Sequence, residues 1–191
     1  MSTHGLLLAA GAGSRMGLPK ALVVDAAGEP WLARSVDVLH QGGCEEVTVV
    51  LGAAVDEAVR LLDGRGADVV VAHDWAEGMS ASLRAGLRSL PAADAVLVHL
   101  VDLPDVTAEV VARVVAAAAG PTTLARASYD GVPGHPVLLG RDHWSAVAAG
   151  ATGDHGARDY LRAHDVTLVE CGDLAGGADV DTPVPAQHAH R

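Results

Sequence analysis

The 191-residue chain contains no phenylalanine, isoleucine or asparagine, and it has one lysine against twelve arginines. Such absences indicate a bias in codon usage, and no function follows from them. Half of the residues are hydrophobic, so the core must be built mainly from leucine, valine and alanine. The single lysine, Lys20, is the informative exception. A chain that uses arginine almost everywhere is expected to keep a lysine where a compact, flexible ammonium group is needed, although chance is the alternative explanation.

Positive charge and cysteine are also scarce. The formal net charge of −11 argues against a protein that binds nucleic acid or a membrane surface through a basic face. Cys44 and Cys171 form neither a C-x-x-C motif nor a metal-ligand spacing, so reduced thiols are expected. No apolar run approaches the ~18 residues that a membrane span needs. These features predict one cytoplasmic domain over residues 1–191, with a mobile tail from about 184.

Short apolar runs alternate with amphipathic, alanine-rich segments. The runs predict strands at about 5–10, 46–51, 68–72, 95–101, 122–128 and 166–170. Helical spacing links Leu32, Val36 and Leu39; Val55, Val59 and Leu62; Leu83, Leu87 and Leu90; and the valines at 110, 111, 114 and 115. Strands rich in valine without polar alternation indicate a parallel sheet that is covered on both faces. The predicted fold is therefore a three-layer, Rossmann-like α/β sandwich, with a hairpin or excursion near the Asp130-Gly131 turn.

A glycine-rich loop follows the first predicted strand. Its motif is G-x-G-x-x-x-G-x-x-K over residues 11–20, with Arg15 inside it. The dinucleotide-binding fingerprint fails because Met16 stands where a glycine is required. The P-loop motif fails because Leu18-Pro19 precedes the lysine and Ala21 follows it. Backbone amides in a loop at a strand's carboxyl end are nevertheless suited to phosphate, so the loop predicts a phosphate ligand.

Acidic side chains occur at two places where they could reach the same crevice. Asp102 follows the apolar run that ends at Val101, and an oxygen ligand at the end of a strand suits Mg²⁺. The structural alternative is a helix N-cap, for which Asp105 and Thr107 are better placed. Asp179 and Asp181 alternate after the last predicted strand, and their spacing fits a solvated loop as well as a second metal ligand.

Three other residues remain ambiguous on sequence grounds. Ser80, between Gly78 and Ser82, suits a helix N-cap and also a helix N-terminus that faces a ligand. His135 lies in a constrained Gly-His-Pro loop, where contact with substrate and an incidental position are both possible. Arg158 is suited either to an ion pair with Asp154 or to substrate contact.

The motifs, taken in order, resemble a known family. Residues 8–17 with Pro19 and Lys20 resemble the signature loop of nucleotidyltransferases that act on NTPs. Gly78-Met79-Ser80-Ala81-Ser82-Leu83, Val101-Asp102-Leu103-Pro104, Gly134-His135-Pro136-Val137, the segment 153–158 and Asp179-Val180-Asp181-Thr182-Pro183 follow in family order. Together they resemble the MobA-like branch and, within it, the molybdenum cofactor cytidylyltransferases. The resemblance covers about residues 5–183 and implies the nucleotide-diphospho-sugar transferase type of fold.

The resemblance implies the transfer of CMP from CTP to the phosphate of a molybdopterin cofactor, with Mg²⁺ and release of pyrophosphate. Arg15, Lys20 and Asp102 would be catalytic, and Asp102 with Asp181 would hold the metal. The nucleotide would contact Leu8, Ala9, Ala10, Gly11, Gly13, Ser14, Gly78, Ser80 and Ser82. His135 and Arg158 would face the acceptor, and a molybdoenzyme or its chaperone would be the protein partner.

Several alternatives stay open at this level. Ala10 and Pro19 stand where the guanylyltransferase sister group has glycine and aspartate, which favours cytidylyl over guanylyl transfer. A MobA-like guanylyl- or sugar-phosphate nucleotidyltransferase remains an alternative. Some relatives in this branch carry the label nicotine blue oxidoreductase, so NAD(P)H-dependent reduction of a quinone-like dye is a second hypothesis. A non-catalytic protein that stores or hands over the cofactor is a third.

Overall fold

A computed structural model describes residues 1–180 of the chain. In this part the strands are β1 (Thr3–Leu8), β2 (Glu46–Leu51), β3 (Ala67–Val71), β4 (Ala95–Leu100), β5 (Leu124–Tyr129), β6 (Val132–Gly140) and β7 (Thr167–Glu170). The α-helices are α1 (Trp31–Gln41), α2 (Val55–Leu61), α3 (Met79–Ser89), α4 (Ala108–Val115), α5 (Arg141–Gly150) and α6 (Arg158–Arg162). Single 3₁₀ turns occupy Lys20–Leu22 and Trp75–Glu77. The tail predicted from about 184 lies outside the described residues.

The strands form one seven-stranded sheet in the order β3-β2-β1-β4-β6-β5-β7. Within the described residues β6 alone runs against the other strands, pairing antiparallel with both β4 and β5. The reversal comes from a two-residue hairpin loop in which Asp130 (φ +51°) and Gly131 (φ +79°) both have positive φ, as a type I′ turn requires. The predicted mostly parallel sheet and its hairpin are therefore confirmed. The strand β6 itself was not predicted.

Side chains of successive strand residues point to opposite faces of the sheet and build two separate cores. Leu7 and Leu97 belong to the core shared with α1, α2 and α4. Leu6 and Val96 belong to the core shared with α3, α5 and α6. Helices thus cover both faces, which confirms the three-layer sandwich. The loops that follow the parallel strands β1 and β4 consequently emerge at the same edge of the sheet.

Two local predictions were wrong in detail. The first strand runs over residues 3–8, two positions earlier than predicted, and Ala9 continues from it with its N–H donated to the Val50 carbonyl at 2.9 Å. On α2 Ala58 is fully buried, whereas Val59 is 38% exposed. Val55 and Leu61 are partly buried against the same core and Leu62 belongs to it, so within the predicted Val55-Val59-Leu62 stripe the middle inward position is Ala58 and not Val59. Among the described helices none is long and apolar enough to cross a membrane.

Candidate functional site

The loop that leaves β1 closes on itself through its own backbone. The Lys20 N–H donates to the Gly11 carbonyl at 3.2 Å, and the Met16 N–H donates to the Gly13 carbonyl at 2.9 Å. Gly13 has φ +59°, and a Cβ atom there would lie 1.9 Å from the carbonyl oxygen of Leu18. Only glycine fits this position. The loop therefore has a defined shape that brings Lys20 back towards the end of β1.

Lys20 meets Asp102 across the sheet edge. The residues after β4 place Asp102 beside the closed loop, and Lys20 Nζ donates to Asp102 Oδ2. The two side chains are only 22% and 12% exposed, and the partial burial strengthens their attraction relative to an ion pair in water. The structure thus brings together the lysine and the aspartate that the sequence singles out for different reasons.

The C-terminal part of the described chain, residues 176–180, packs beside Asp102 and Asp105. The Val180 N–H donates to the Asp102 carbonyl at 3.0 Å. Asp105 Oδ2 accepts the N–H groups of Gly176 and Gly177 at 2.8 and 2.9 Å. Asp105 therefore anchors this segment, and the N-cap of α4 is Thr107. The predicted second metal ligand, Asp181, lies outside the described residues.

A cavity of about 900 Å³ opens beside this meeting point. Of the predicted site residues, the structure brings Leu8, Arg15, Lys20, Asp102, His135 and Arg158 into its wall. Asp179, the alternative to Asp181, lines it as well. Within residues 1–180, no group of three or more histidine, cysteine, aspartate and glutamate side chains is placed to hold a metal ion. Any metal there would depend on one or two carboxylates together with oxygens from the substrate, an arrangement typical of Mg²⁺.

The remaining predicted nucleotide contacts do not line this cavity; they are Ala9, Ala10, Gly11, Gly13, Ser14, Gly78, Ser80 and Ser82. Ser80 and Ser82 are buried. The Ser80 hydroxyl accepts the Gly156 N–H at 3.1 Å, and the Ser80 N–H donates to the Gly153 carbonyl at 2.9 Å.

The structure corrects the N-cap interpretation of Ser80. The N-cap of α3 is Gly78, and Ser80 is the second residue of the helix. Gly78 has φ +115°, and a Cβ atom there would lie 2.5 Å from Asp154 Oδ1. The start of α3 thus packs against the 153–156 loop, which leads into Arg158. The ion pair proposed between Arg158 and Asp154 does not form; Asp154 instead accepts the Met79 N–H at 3.3 Å.

His135 lies in the cavity wall, which also contains Arg126 and Arg158. Burial, together with the positive charges of Arg126 and Arg158, lowers its pKa to about 4, so the imidazole is neutral near pH 7. The Tyr129 hydroxyl donates to the His135 carbonyl at 2.7 Å. A neutral ring in this position can accept or donate a hydrogen bond to a ligand but contributes no positive charge.

Sequence reasoning missed two polar residues of this region. Arg126 lines the cavity from the middle of β5, and the signal for it was a charged residue inside an otherwise apolar strand. His99 lies in β4, is 1% exposed, and its Nδ1 has no hydrogen-bond partner in the described part of the chain. Burial lowers the pKa of His99 to about 3. The signal for it, as for Arg126, was a polar residue inside an apolar run that predicts a buried strand.

The structure combines an α/β sheet with a closed glycine loop and the Lys20–Asp102 pair at one sheet edge. This combination is typical of proteins that bind phosphate groups beyond the carboxyl ends of their strands. A family model, the MobA-like NTP transferase domain, matches residues 5–168. The chain belongs to this family. The resemblance drawn from the motifs is confirmed, and the family supports nucleotidyl transfer as the general chemistry of the domain.

Relatives of known sequence and structure cover nearly the whole chain. The nicotine blue oxidoreductase of Paenarthrobacter nicotinovorans is 36% identical over 188 residues, which are 93% of this chain and 91% of that protein. The crystal structure of Rv0371c from Mycobacterium tuberculosis H37Rv is 29% identical, with a TM-score of 0.80, covering 95% of this chain and 94% of the other. A structure of Rv0371c in complex with manganese is 26% identical, with a TM-score of 0.76 and 94% coverage of each chain.

Proposed function

We propose that the protein transfers CMP from CTP to the phosphate of a molybdopterin-type cofactor and releases pyrophosphate. One observation carries the proposal: the sole lysine and the strand-end aspartate meet at the closed glycine loop, at the mouth of a large cavity. A cation and a carboxylate placed together at a phosphate-binding loop suit a triphosphate and its divalent cation. We place the reaction in the cytoplasm, with a molybdoenzyme or its chaperone receiving the product.

The reaction forms one bond and breaks one. An oxygen of the acceptor phosphate bonds to the α-phosphorus of CTP, the bond from that phosphorus to the bridging oxygen breaks, and pyrophosphate carries away the electron pair. No covalent enzyme intermediate is needed, so positioning and charge neutralisation supply the catalysis. Lys20 and Arg15 would neutralise the charge that builds on the leaving pyrophosphate. The backbone of residues 10–17 would surround the phosphates.

The carboxylates present fit a divalent cation. Asp102 Oδ atoms lie at a strand end with little solvent exposure, and Asp179 lines the same cavity. Two hard oxygen donors plus phosphate oxygens are the usual environment of Mg²⁺ in NTP-dependent enzymes. The manganese complex of Rv0371c supports a divalent cation in this fold. When bound, the cation would offset negative charge on the phosphates. Asp181 remains the proposed second ligand by resemblance to the family.

The test is a panel of the four NTPs with loaded molybdopterin cofactor as the acceptor, scored by release of pyrophosphate. We expect release with CTP and Mg²⁺, little release with GTP, and none when the acceptor is omitted. The variants Lys20→Gln and Asp102→Asn should abolish most of the release, whereas Arg60→Gln, on an exposed position of α2, should not. Equal release from all four NTPs would contradict the choice of base, and no release from any would contradict the proposal.

The second candidate is an NAD(P)H-dependent reductase of a quinone-like dye, and it rests on the 36% identity to nicotine blue oxidoreductase. The glycine loop does not carry the dinucleotide fingerprint, since Met16 replaces its third glycine. Oxidation of NADH or NADPH by the dye, followed at the absorbance of the reduced cofactor without any NTP, separates the two candidates. Loss of that absorbance together with no pyrophosphate release would favour the reductase.

A further inference from the structure

Arg126 and Arg158 form a positive cluster that the transfer of the nucleotide does not use. Both line the cavity that contains Lys20 and Asp102. His135 lines the same cavity, and after burial the charges of the two arginines lower its pKa. Burial and the charge of Arg158 also lower the pKa of Arg126. The cluster therefore places two positive charges in one wall, with Arg126 half-buried and Arg158 exposed.

Neither arginine of the cluster is held in an ion pair in the described part of the chain. Arg126 donates from Nε and Nη2 to the Gly134 carbonyl at 3.0 and 2.9 Å, which is a neutral acceptor. No ion pair joins either Arg126 or Arg158 to a carboxylate among residues 1–180. Two carboxylates that line the same cavity have other contacts: Asp154 accepts the Met79 N–H, and Asp102 pairs with Lys20. Two guanidinium groups that are not ion-paired to a carboxylate are suited to an oxyanion.

The sheet register separates this cluster from the Lys20–Asp102 pair. Arg126 pairs with Val137, and Val137 pairs with Val98 on β4. Asp102 lies four positions beyond Val98 and two beyond the end of β4, which is at most about 13 Å along the strand direction, and β5 is two strands away, about 10 Å across. The Cα atoms of Arg126 and Asp102 are therefore at most roughly 16 Å apart. The arginine cluster and the Lys20–Asp102 pair line the same cavity, so one long ligand, or two ligands bound together, can contact both of them.

We propose that Arg126 and Arg158 form a second anion subsite, which holds an anionic group of the acceptor at the end remote from its reacting phosphate. The inference rests on the proposed function for the identity of the reacting end. It specifies the substrate class further: the acceptor carries two anionic groups, on the order of 10 Å apart once the lengths of the side chains are allowed for. An acceptor with the phosphate alone lacks the second contact and binds more weakly.

The first experiment compares Arg126→Gln and Arg158→Gln with Arg60→Gln in steady-state transfer. We expect each cavity variant to raise the KM for the acceptor about tenfold or more, with kcat and the KM for CTP within twofold of the parent. Arg126→Lys should recover part of the loss because it keeps the charge. Thermal unfolding identifies variants that fail to fold, and the exposed Arg158 provides a variant with no buried contact to lose.

The second experiment needs no catalysis and uses inorganic phosphate as the probe. Phosphate binding is measured by titration calorimetry on Lys20→Gln, in which phosphate binding at the glycine loop is weakened. The same measurement is made on two double variants, Lys20→Gln with Arg126→Gln and Lys20→Gln with Arg60→Gln. Binding that persists in the single variant, falls at least tenfold with Arg126→Gln and is unchanged with Arg60→Gln supports the subsite.

The outcomes separate the two proposals. If no NTP supports transfer but the phosphate binding depends on Arg126, the proposed function is wrong and the subsite stands. If transfer proceeds while the acceptor KM and the phosphate binding are unaffected by both arginine variants, the subsite is overturned and the proposed function stands.

Discussion

Lys20 Nζ donates to Oδ2 of Asp102, although the two residues stand 82 positions apart in the sequence. The pair gives each charge a partner in the structure without ligand. Under the proposed function, a triphosphate would become the partner of Lys20 and a cation the partner of Asp102. Binding of the nucleotide would then be coupled to binding of the metal, because either ligand alone would leave one charge of the pair uncompensated.

Replacement of Lys20 tests whether the site needs a positive charge and whether that charge must be a compact ammonium group. We expect Lys20→Ala to lower turnover by about 10² or more, the usual effect of losing one electrostatic stabiliser. Lys20→Arg should also lose most of the activity, because a planar guanidinium cannot occupy the same partly buried position beside Asp102. Pyrophosphate release gives kcat for each variant, with Arg60→Gln as the control. Near-full activity of Lys20→Arg would show that the single lysine has no special role.

Replacement of Asp102 tests the metal. Asp102→Asn should weaken Mn²⁺ binding in the presence of CTP by about tenfold or more and lower metal-dependent turnover, because a carboxylate ligand becomes a neutral amide. Electron paramagnetic resonance of free Mn²⁺ measures the affinity directly. Asp142→Asn, at an exposed position of α5, is the matched control. Unchanged Mn²⁺ affinity in Asp102→Asn would remove this residue from the metal site.

Two glycines of the loop provide a matched pair. Gly13 and Gly17 both have positive φ, but a Cβ atom at Gly17 meets nothing within 4 Å, whereas at Gly13 it meets the Leu18 carbonyl oxygen. Alanine at either position costs about 1–2 kcal/mol for the left-handed backbone. Gly13→Ala must also displace the loop, so its KM for CTP should rise about tenfold while Gly17→Ala stays near the parent. Equal KM values would show that the loop shape does not matter for nucleotide binding.

The sequence predicted the parts of this structure that depend on local pattern. Valine-rich runs and the Asp130-Gly131 turn indicated the parallel sheet and its hairpin, since strand burial and two positive φ angles leave a clear signature. Strand β6 was missed because the Gly134-His135-Pro136 motif predicts a constrained loop, since glycine and proline are disfavoured inside strands. Its position became clear only from pairing with β4 and β5.

The candidate site also has one part that could be predicted from the sequence and one part that could not. The glycine loop, Lys20 and Asp102 could be recognised because their residue types and positions at strand ends carry the chemistry. The structural role of Ser80 could not, because its hydroxyl bonds to Gly156, 76 positions away. Contacts at such a separation depend on tertiary packing, which local spacing does not encode.

The buried His99 predicts a dependence of stability on pH. Its pKa is about 3 in the folded protein against the ordinary 6.5, so below pH 6.5 the unfolded chain binds a proton that the folded chain does not. The free energy of unfolding should therefore decrease as the pH falls from 6.5 towards 3, by up to about 1.4 kcal/mol per pH unit from this group.

His99→Leu tests that dependence. It removes a buried polar atom without a partner, so stability at pH 8 should be equal or higher. The decline between pH 6.5 and 4 should become shallower than in the parent. Urea unfolding at several pH values measures both effects, and His73→Gln, at an exposed position, is the control. An unchanged pH slope in His99→Leu would contradict the assignment.

Glu170 holds the β5–β6 hairpin. Its carboxylate accepts hydrogen bonds from the N–H groups of Gly172, Asp130 and Gly131 and from the Ser128 hydroxyl. These bonds lower the pKa of Glu170 to about 2 from its ordinary 4.5. The stabilisation is complete above pH 4.5 and is lost as the pH falls towards 2.

Glu170→Gln should therefore lower the midpoint of thermal unfolding at pH 7, because the amide faces four donors with one acceptor oxygen. The difference from the parent should shrink between pH 4.5 and 2.5. Glu57→Gln, at an exposed position of α2, should show neither effect. A difference that is constant with pH would mean that the charge of Glu170 is not responsible.

The bond from the Val180 N–H to the Asp102 carbonyl has a consequence for biosynthesis. Strands β1 to β4 and the glycine loop leave the ribosome well before residues 176–180 do. Gly177 and Asp179 belong to the cavity wall, so the wall is incomplete until this segment has been synthesised. The glycine loop, Lys20 and Asp102 are all present in the nascent chain before that point.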